Sequence, residues 1–139
     1  MIFLIFILVL LFVFVSLINA SFYWTEFIFK EQVNCRHQKY WYYQIHYYEV
    51  DTLSRDDYLT TSGLHNFVGE NHEEFTAKGK QNRDELSIGD DSRYYKIRAD
   101  IYHNCTSNSK SAYKSHMFPK LLISAISDTY NLKISEILD

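Results

Sequence analysis

At 139 residues, with 14 basic and 17 acidic side chains, the chain carries a formal net charge of −3, and its length fits one domain. It has no basic block, which argues against a nucleic-acid partner. Two cysteines, Cys35 and Cys105, are too few for a disulfide-dense miniprotein.

Ile2 to Val15 is an unbroken run of 14 apolar residues, softened by Ser16-Leu17-Ile18-Asn19-Ala20. It reads as a secretory signal peptide, residues 1–20, cleaved after the small residue Ala20. No Lys or Arg precedes Lys30, so the usual positive n-region is absent. The alternative is a membrane-tethered protein that keeps this segment as an anchor, for which roughly 20 apolar residues are needed. On the cleavage reading, membrane contact is transient and the protein is secreted and extracellular. Residues 21–139, 119 in number, then form the mature domain, large enough to bury about two-thirds of its chain surface.

The mature chain reads as a string of strands. Gln32 to Arg36 is short and carries Cys35. Trp41 to Asp51 is dominated by aromatic and β-branched residues, as strands prefer. Its alternation puts Tyr43, Ile45 and Tyr47 on one face and Gln44, His46 and Tyr48 on the other. Asp51 to Asp57 is a polar loop, and Tyr58 to Thr61 a brief strand ended by Ser62-Gly63. The acidic clusters Glu70 to Glu74 and Asp84 to Asp91 read as solvated turns. Between them Glu74 to Lys78 is a strand stopped by Gly79. Tyr94 to His103 has the cleanest pattern: Tyr95, Ile97, Ala99 and Ile101 face one way, Lys96, Arg98, Asp100 and Tyr102 the other. That is a half-buried antiparallel strand. Met117 to Ser124 and Tyr130 to Leu138 complete the series, with Pro119 at an edge or bulge. Leu121 to Ile126 has a helical alternative by propensity alone. The frequent short strands predict an all-β fold, an antiparallel β-sandwich of about seven or eight strands.

Ile101-Tyr102-His103-Asn104-Cys105-Thr106 concentrates the remaining signals. Asn104-Cys105-Thr106 is a glycosylation sequon, and both a sequon and a structural thiol have meaning in an oxidising compartment. Whether Cys35 and Cys105 pair is open at this point. A bond would close a loop of about 70 residues and contribute roughly 4 kcal/mol on the chain-entropy account. His103, at a strand end, reads as structural, its ring nitrogens bonded to backbone in the adjoining loop. His37, His46, His65, His72, His103 and His116 show no close metal-ligand spacing. Asp56-Asp57 and Asp90-Asp91 lack the acid-x-acid-x-acid-Gly plan of a calcium loop. No metal, cofactor or catalytic residue is therefore expected. In the aromatic run Tyr40 to Tyr48, alternation leaves Tyr42 and Tyr48 outside, flanking His46. These three form the candidate binding surface, and an exposed aromatic edge would also favour self-association.

Taken in order, several motifs resemble the nematode transthyretin-like family of secreted proteins. They are the strand with Cys35; Tyr48-Glu49-Val50-Asp51; Asp56-Asp57-Tyr58-Leu59; Thr61 before a turn; Phe75, Gly79 and Glu85 with Ile88 beyond; the Ile101 to Cys105 strand end; Pro119; and the last strand from Tyr130 to Leu138. The resemblance covers residues 32–138. The chain departs from the family where a further Cys is common, at Ser109-Lys110-Ser111-Ala112, in an insertion around Asp90 to Tyr94, and in lacking the usual Pro ahead of that strand. The resemblance implies a divergent member with a transthyretin-like sandwich. Its expected function is non-enzymatic extracellular binding, in cell-surface recognition, signalling or small-ligand carriage. The expected partner is an extracellular protein or a small hydrophobic ligand. The related 5-hydroxyisourate hydrolases carry a C-terminal Tyr-Arg-Gly-Ser. This chain ends Ser135-Glu136-Ile137-Leu138-Asp139, which counts against that enzyme.

Overall fold

A computed structural model describes residues 7, 9–12, 24–51, 55–82, 93–123 and 128–139. The alternation of apolar and polar residues becomes two stacked sheets. One holds β1 (Trp24–Cys35), β4 (Phe75–Asn82) and β9 (Thr129–Leu138) in the order β4-β1-β9. The other holds β2 (Tyr40–Glu49), β3 (Asp57–Val68), β6 (Ile97–His103) and β7 (Ala112–Met117) in the order β3-β2-β6-β7. A small third sheet pairs β5 (Tyr94–Tyr95) with β8 (Leu121–Leu122). The fold is an all-β sandwich. One pair departs from the antiparallel expectation: β9 runs parallel to β1, from Glu26↔Thr129 to Cys35↔Leu138.

The core lies where the two larger sheets face each other. Phe27, Phe29, Glu31, Val33 and Cys35 point inward from β1, and Trp41, Tyr43, Ile45 and Tyr47 from β2. Tyr95, Ile97, Ala99 and Ile101 are buried as their pattern predicts, and β2, β6 and β9 fall close to their expected positions. The indole N–H of buried Trp41 donates to the Gly69 carbonyl at 2.7 Å. Phe29 stacks on Tyr47 across the two sheets, with ring centroids 3.7 Å apart.

The early strands are longer than expected. β1 begins at Trp24 rather than Gln32, because its inward row includes a charged residue, Glu31, that interrupts the apolar alternation. Gly63 does not end β3. With φ near +79° it sits in a bulge where pairing jumps from Gln44↔Leu64 to His46↔Thr61. Ile45, left opposite the bulge, has its N–H bound by Ser62 Oγ at 3.0 Å and its carbonyl by Thr61 Oγ1 at 3.0 Å. Gly79 does not stop β4 either. It lets β4 approach β3, since a Cβ there would lie 3.1 Å from Leu59 Cβ.

Later elements also shift. Tyr94 to His103 divides at Lys96 because Tyr94–Tyr95 pairs with β8 while Ile97–His103 pairs with β2 and β7. The expected Met117 to Ser124 strand resolves into the end of β7 and the two residues of β8, and Pro119 lies in the connection between them. Leu121–Leu122 is strand, not helix. Residues 124–127, the cleavage position after Ala20 and the Asp84 to Asp91 cluster lie outside the described residues. No helix among the described residues is long and apolar enough to cross a membrane.

Cys35 and Cys105, separated by 70 positions in sequence, are joined by a disulfide, with Cα atoms 5.7 Å apart. The bond ties the end of β1 in one sheet to a residue two positions beyond β6 in the other. Both cysteines are buried in the core.

Glu31 is fully buried. Its carboxylate accepts a hydrogen bond from the Tyr47 hydroxyl at 2.7 Å and a longer one from Tyr43 at 3.4 Å. Burial pushes its pKa from 4.5 up to about 7, outweighing the hydrogen bonds from Tyr47, Tyr43 and Ser62 that favour the charged form. The folded state therefore holds this proton more tightly than the unfolded chain, and stability is lost as pH rises from about 4.5 through 7. Glu31→Gln removes the ionisation and keeps an acceptor for Tyr47. In urea titrations against pH, the two proteins should converge below pH 4.5, and the variant should be the more stable above pH 7, by on the order of 3 kcal/mol at most.

Candidate binding surface

The inward packing of β2, β6 and β3 dictates what the opposite face of their sheet shows. Side chains alternate along a strand, so each buried Tyr43, Ile45 and Tyr47 is followed by an outward Gln44, His46 and Tyr48. On the neighbouring strands Tyr58, Arg98, Asp100, Tyr102 and Tyr113 share that face.

The rings form a continuous row across all four strands. Tyr48 meets Tyr58 edge-on at 5.7 Å, and Tyr58 lies 6.1 Å from His46. His46 meets Tyr102 edge-on at 5.4 Å, and Tyr102 lies 5.3 Å from its direct partner Tyr113. Edge-to-face and tilted pairs at these separations are the favoured aromatic geometries. Tyr58, Tyr102 and Tyr113 remain exposed despite their contacts.

An ion pair locks one end of the row. Arg98 donates through Nη1 to Asp56 at 2.8 Å and through Nε to Asp100 at 3.0 Å. Its guanidinium lies over the Tyr48 ring, 5.1 Å from the centroid. Burial alone would lower the Arg98 pKa, but the Asp100 and Asp56 carboxylates hold it above its ordinary value. Asp100 is only 5% exposed. It also accepts from Tyr113 at 3.0 Å and from Ser115 at 3.1 Å. Burial pushes the Tyr48 hydroxyl up, assisted by the neighbouring Tyr102 and Asp100 charges.

Of the three residues that the sequence singled out, His46 and Tyr48 are brought together in this row. Tyr42 shares the face but sits apart, its hydroxyl 2.8 Å from Ser111 Oγ. Asn104 lies beside it: its Oδ1 accepts from the Tyr42 backbone N–H at 2.8 Å. The following Cys105 is buried in the disulfide, and the Thr106 hydroxyl donates to the Lys110 carbonyl at 2.9 Å.

His103 points inward, as the residue after Ile101 on the buried side of β6. Burial lowers its pKa, against a backbone hydrogen bond to Cys105 that raises it. That contact fits the backbone-bonded role expected of this ring at one nitrogen only, because Nδ1 is buried without a hydrogen-bond partner. A concavity of about 640 Å³ runs beside β3. Phe67, Phe75 and His65 line it, with Glu70 and Glu73. No group of three or more His, Cys, Asp or Glu side chains among the described residues is placed to hold a metal.

Arg98→Met would strip the buried Asp100 of its cation. Breaking a buried pair on one side leaves an uncompensated charge, partly relieved here by Tyr113 and Ser115. The expected loss is about 2–3 kcal/mol by chemical denaturation, and Asp100→Asn in the same chain should recover most of it. A double variant as unstable as Arg98→Met alone would show that the pair is not what matters.

A family model described as Caenorhabditis elegans protein of unknown function (DUF870) matches residues 30–131. No curated protein and no solved structure matches the chain.

Proposed function

The chain belongs to that Caenorhabditis elegans family of unknown function, and from this premise we propose that it is a secreted, non-enzymatic binding protein on a transthyretin-like sandwich. The reading rests above all on the aromatic row Tyr48, Tyr58, His46, Tyr102 and Tyr113, which crosses the outer face of the four-stranded sheet. The inner faces of the sheets build the core, so stability does not require five partly exposed rings on the outside. Tyr and Arg are the residue types enriched where proteins bind one another, and their side chains are held here by mutual packing and by Asp56 and Asp100. Contacts on such a face lose little side-chain entropy on binding.

Two further features support the extracellular setting. The cross-sheet disulfide suits an oxidising compartment. The apolar leader provides the route there, and it makes Asn104 a site for N-glycosylation. The partner that best suits the row is an extracellular protein. The hollow along Phe67, Phe75 and His65 has the size of a small-ligand site, but its lining also carries Glu70, Asn71, His72 and Glu73.

The test is capture from extracellular fluid with the mature domain as bait. The Tyr58→Ala/Tyr102→Ala double variant should lose the partner, while Lys78→Ala, on the other sheet, should retain it. Equal capture by wild type and the double variant would remove the row from the interface. Turnover of 5-hydroxyisourate by the purified domain would overturn the non-enzymatic reading. Recovery only in a salt-washed membrane pellet would favour the retained anchor.

A further inference from the structure

Tyr40 and Val68 are cross-strand partners at one corner of the β2–β3 pair. They are 65% and 68% exposed. Among the described residues, β3 is also the outer strand of its sheet, with β2 as its only strand partner there. Val68 is thus an exposed apolar residue on an outer strand, with Tyr40 beside it on β2, and exposed apolar surface at the margin of a sheet invites unwanted association with other chains.

The same corner is concave. Tyr40, Val68, Trp41, Phe67, Asn66 and Asn104 line a hollow of about 340 Å³, at the lower end of the roughly 300–1,000 Å³ typical of small-molecule sites. Its lining combines apolar surface with amide groups, the combination that suits a pyranose ring, whose faces carry C–H groups and whose edge carries hydroxyls.

Asn104 supplies the occupant. It is the acceptor of the sequon, and its side chain is fixed by the bond from the Tyr42 N–H to Oδ1 at 2.8 Å. N-glycosylation attaches sugar at the other amide atom, Nδ2. A sugar on Asn104 therefore begins at the wall of the hollow and needs no long reach to fill it. We propose that the hollow seats the first N-acetylglucosamine of a glycan on Asn104, packed against Tyr40 and Val68, so that the chain covers its own exposed β2–β3 corner. The inference rests on the glycosylation reading above.

The experiment expresses the full chain in a secretory host. Three forms are compared: fully glycosylated, trimmed to a single N-acetylglucosamine, and wholly deglycosylated. Mass spectrometry of the Asn104 peptide reads occupancy. In the trimmed form the N-acetyl methyl proton signal should shift upfield under the Tyr40 ring, and Tyr40→Ala should return it to the free-sugar position. Removing the last sugar should produce concentration-dependent self-association that the trimmed form lacks. An occupied Asn104 whose methyl signal is the same in wild type and Tyr40→Ala overturns the seat and leaves the glycosylation reading intact. Self-association of the trimmed form through β3 also overturns it, because a second copy is then the occupant. An unoccupied Asn104 overturns the glycosylation reading and the seat with it.

Discussion

The grip of Tyr47 on β1 sets how the two sheets face each other. Its ring stacks on Phe29 at 3.7 Å, and its hydroxyl donates to Glu31 at 2.7 Å. Phe29 and Glu31 are two residues apart on one strand, so one side chain from the opposite sheet touches consecutive inward positions of β1. Apolar packing alone is non-directional and would tolerate a slide of one sheet over the other. The hydrogen bond does not. A one-residue slip would put Lys30, an outward residue, where Glu31 now meets Tyr47. Burying a carboxyl is costly, and the raised pKa of Glu31 measures that cost. The same burial, followed by the charge of Glu31, pushes both tyrosine hydroxyls up, so they remain protonated donors.

With the inward side of β2 committed to this contact, its outward side has no freedom of register. His46 and Tyr48 must lie where β3 and β6 bring Tyr58 and Tyr102. The bulge at Ser62-Gly63 is part of this constraint. It absorbs an extra residue in β3 and sets Thr61 opposite His46, and a second shift between Tyr47 and Tyr48 absorbs another and puts Tyr58 opposite Tyr48. The hydroxyls of Thr61 and Ser62 then bind the backbone groups of Ile45, which has no register partner on β3. The surface row is thus a consequence of the core and of a local irregularity acting together.

These two causes explain what could be read from the sequence. β2, β6 and β9 were legible because apolar residues dominate their inward rows, with the polar members His103 and Glu136 only near the strand ends, and period-two alternation is the strongest strand signal. β1 was cut short because Glu31 is buried and acidic, and charge is ordinarily a mark of the surface. β3 and β4 were cut short because Gly63 and Gly79 look like terminators. One instead accommodates a bulge and the other a close approach to Leu59, and each depends on a partner strand that is distant in sequence. The candidate surface divides in the same way. His46 and Tyr48 followed from alternation within one strand, as did the outward placement of Arg98 and Tyr102. Tyr58 and Tyr113 join the row only through strand order and register, which local pattern does not encode. The parallel pairing of β9 with β1 was hidden for the same reason.

The parallel pairing also places three strand ends at one pole. Cys35 is the partner of Leu138 at the end of the β1–β9 register, and Cys105 reaches the same pole from the other sheet through the disulfide. The sequon lies there, and its middle residue is one half of that buried bond. Asn104 is meanwhile engaged with the Tyr42 backbone. Once β6 has docked on β2 and the thiols have joined, the acceptor segment is no longer an extended, accessible chain. A sugar on Asn104 must then be attached before these events. β1 and β2 are complete well before residue 105 emerges during synthesis, so the partner thiol is already present when the sequon appears. On the proposed glycosylation, transfer and oxidation would compete over the same three residues, and the delay before β6 docks would set how much of the protein carries the sugar.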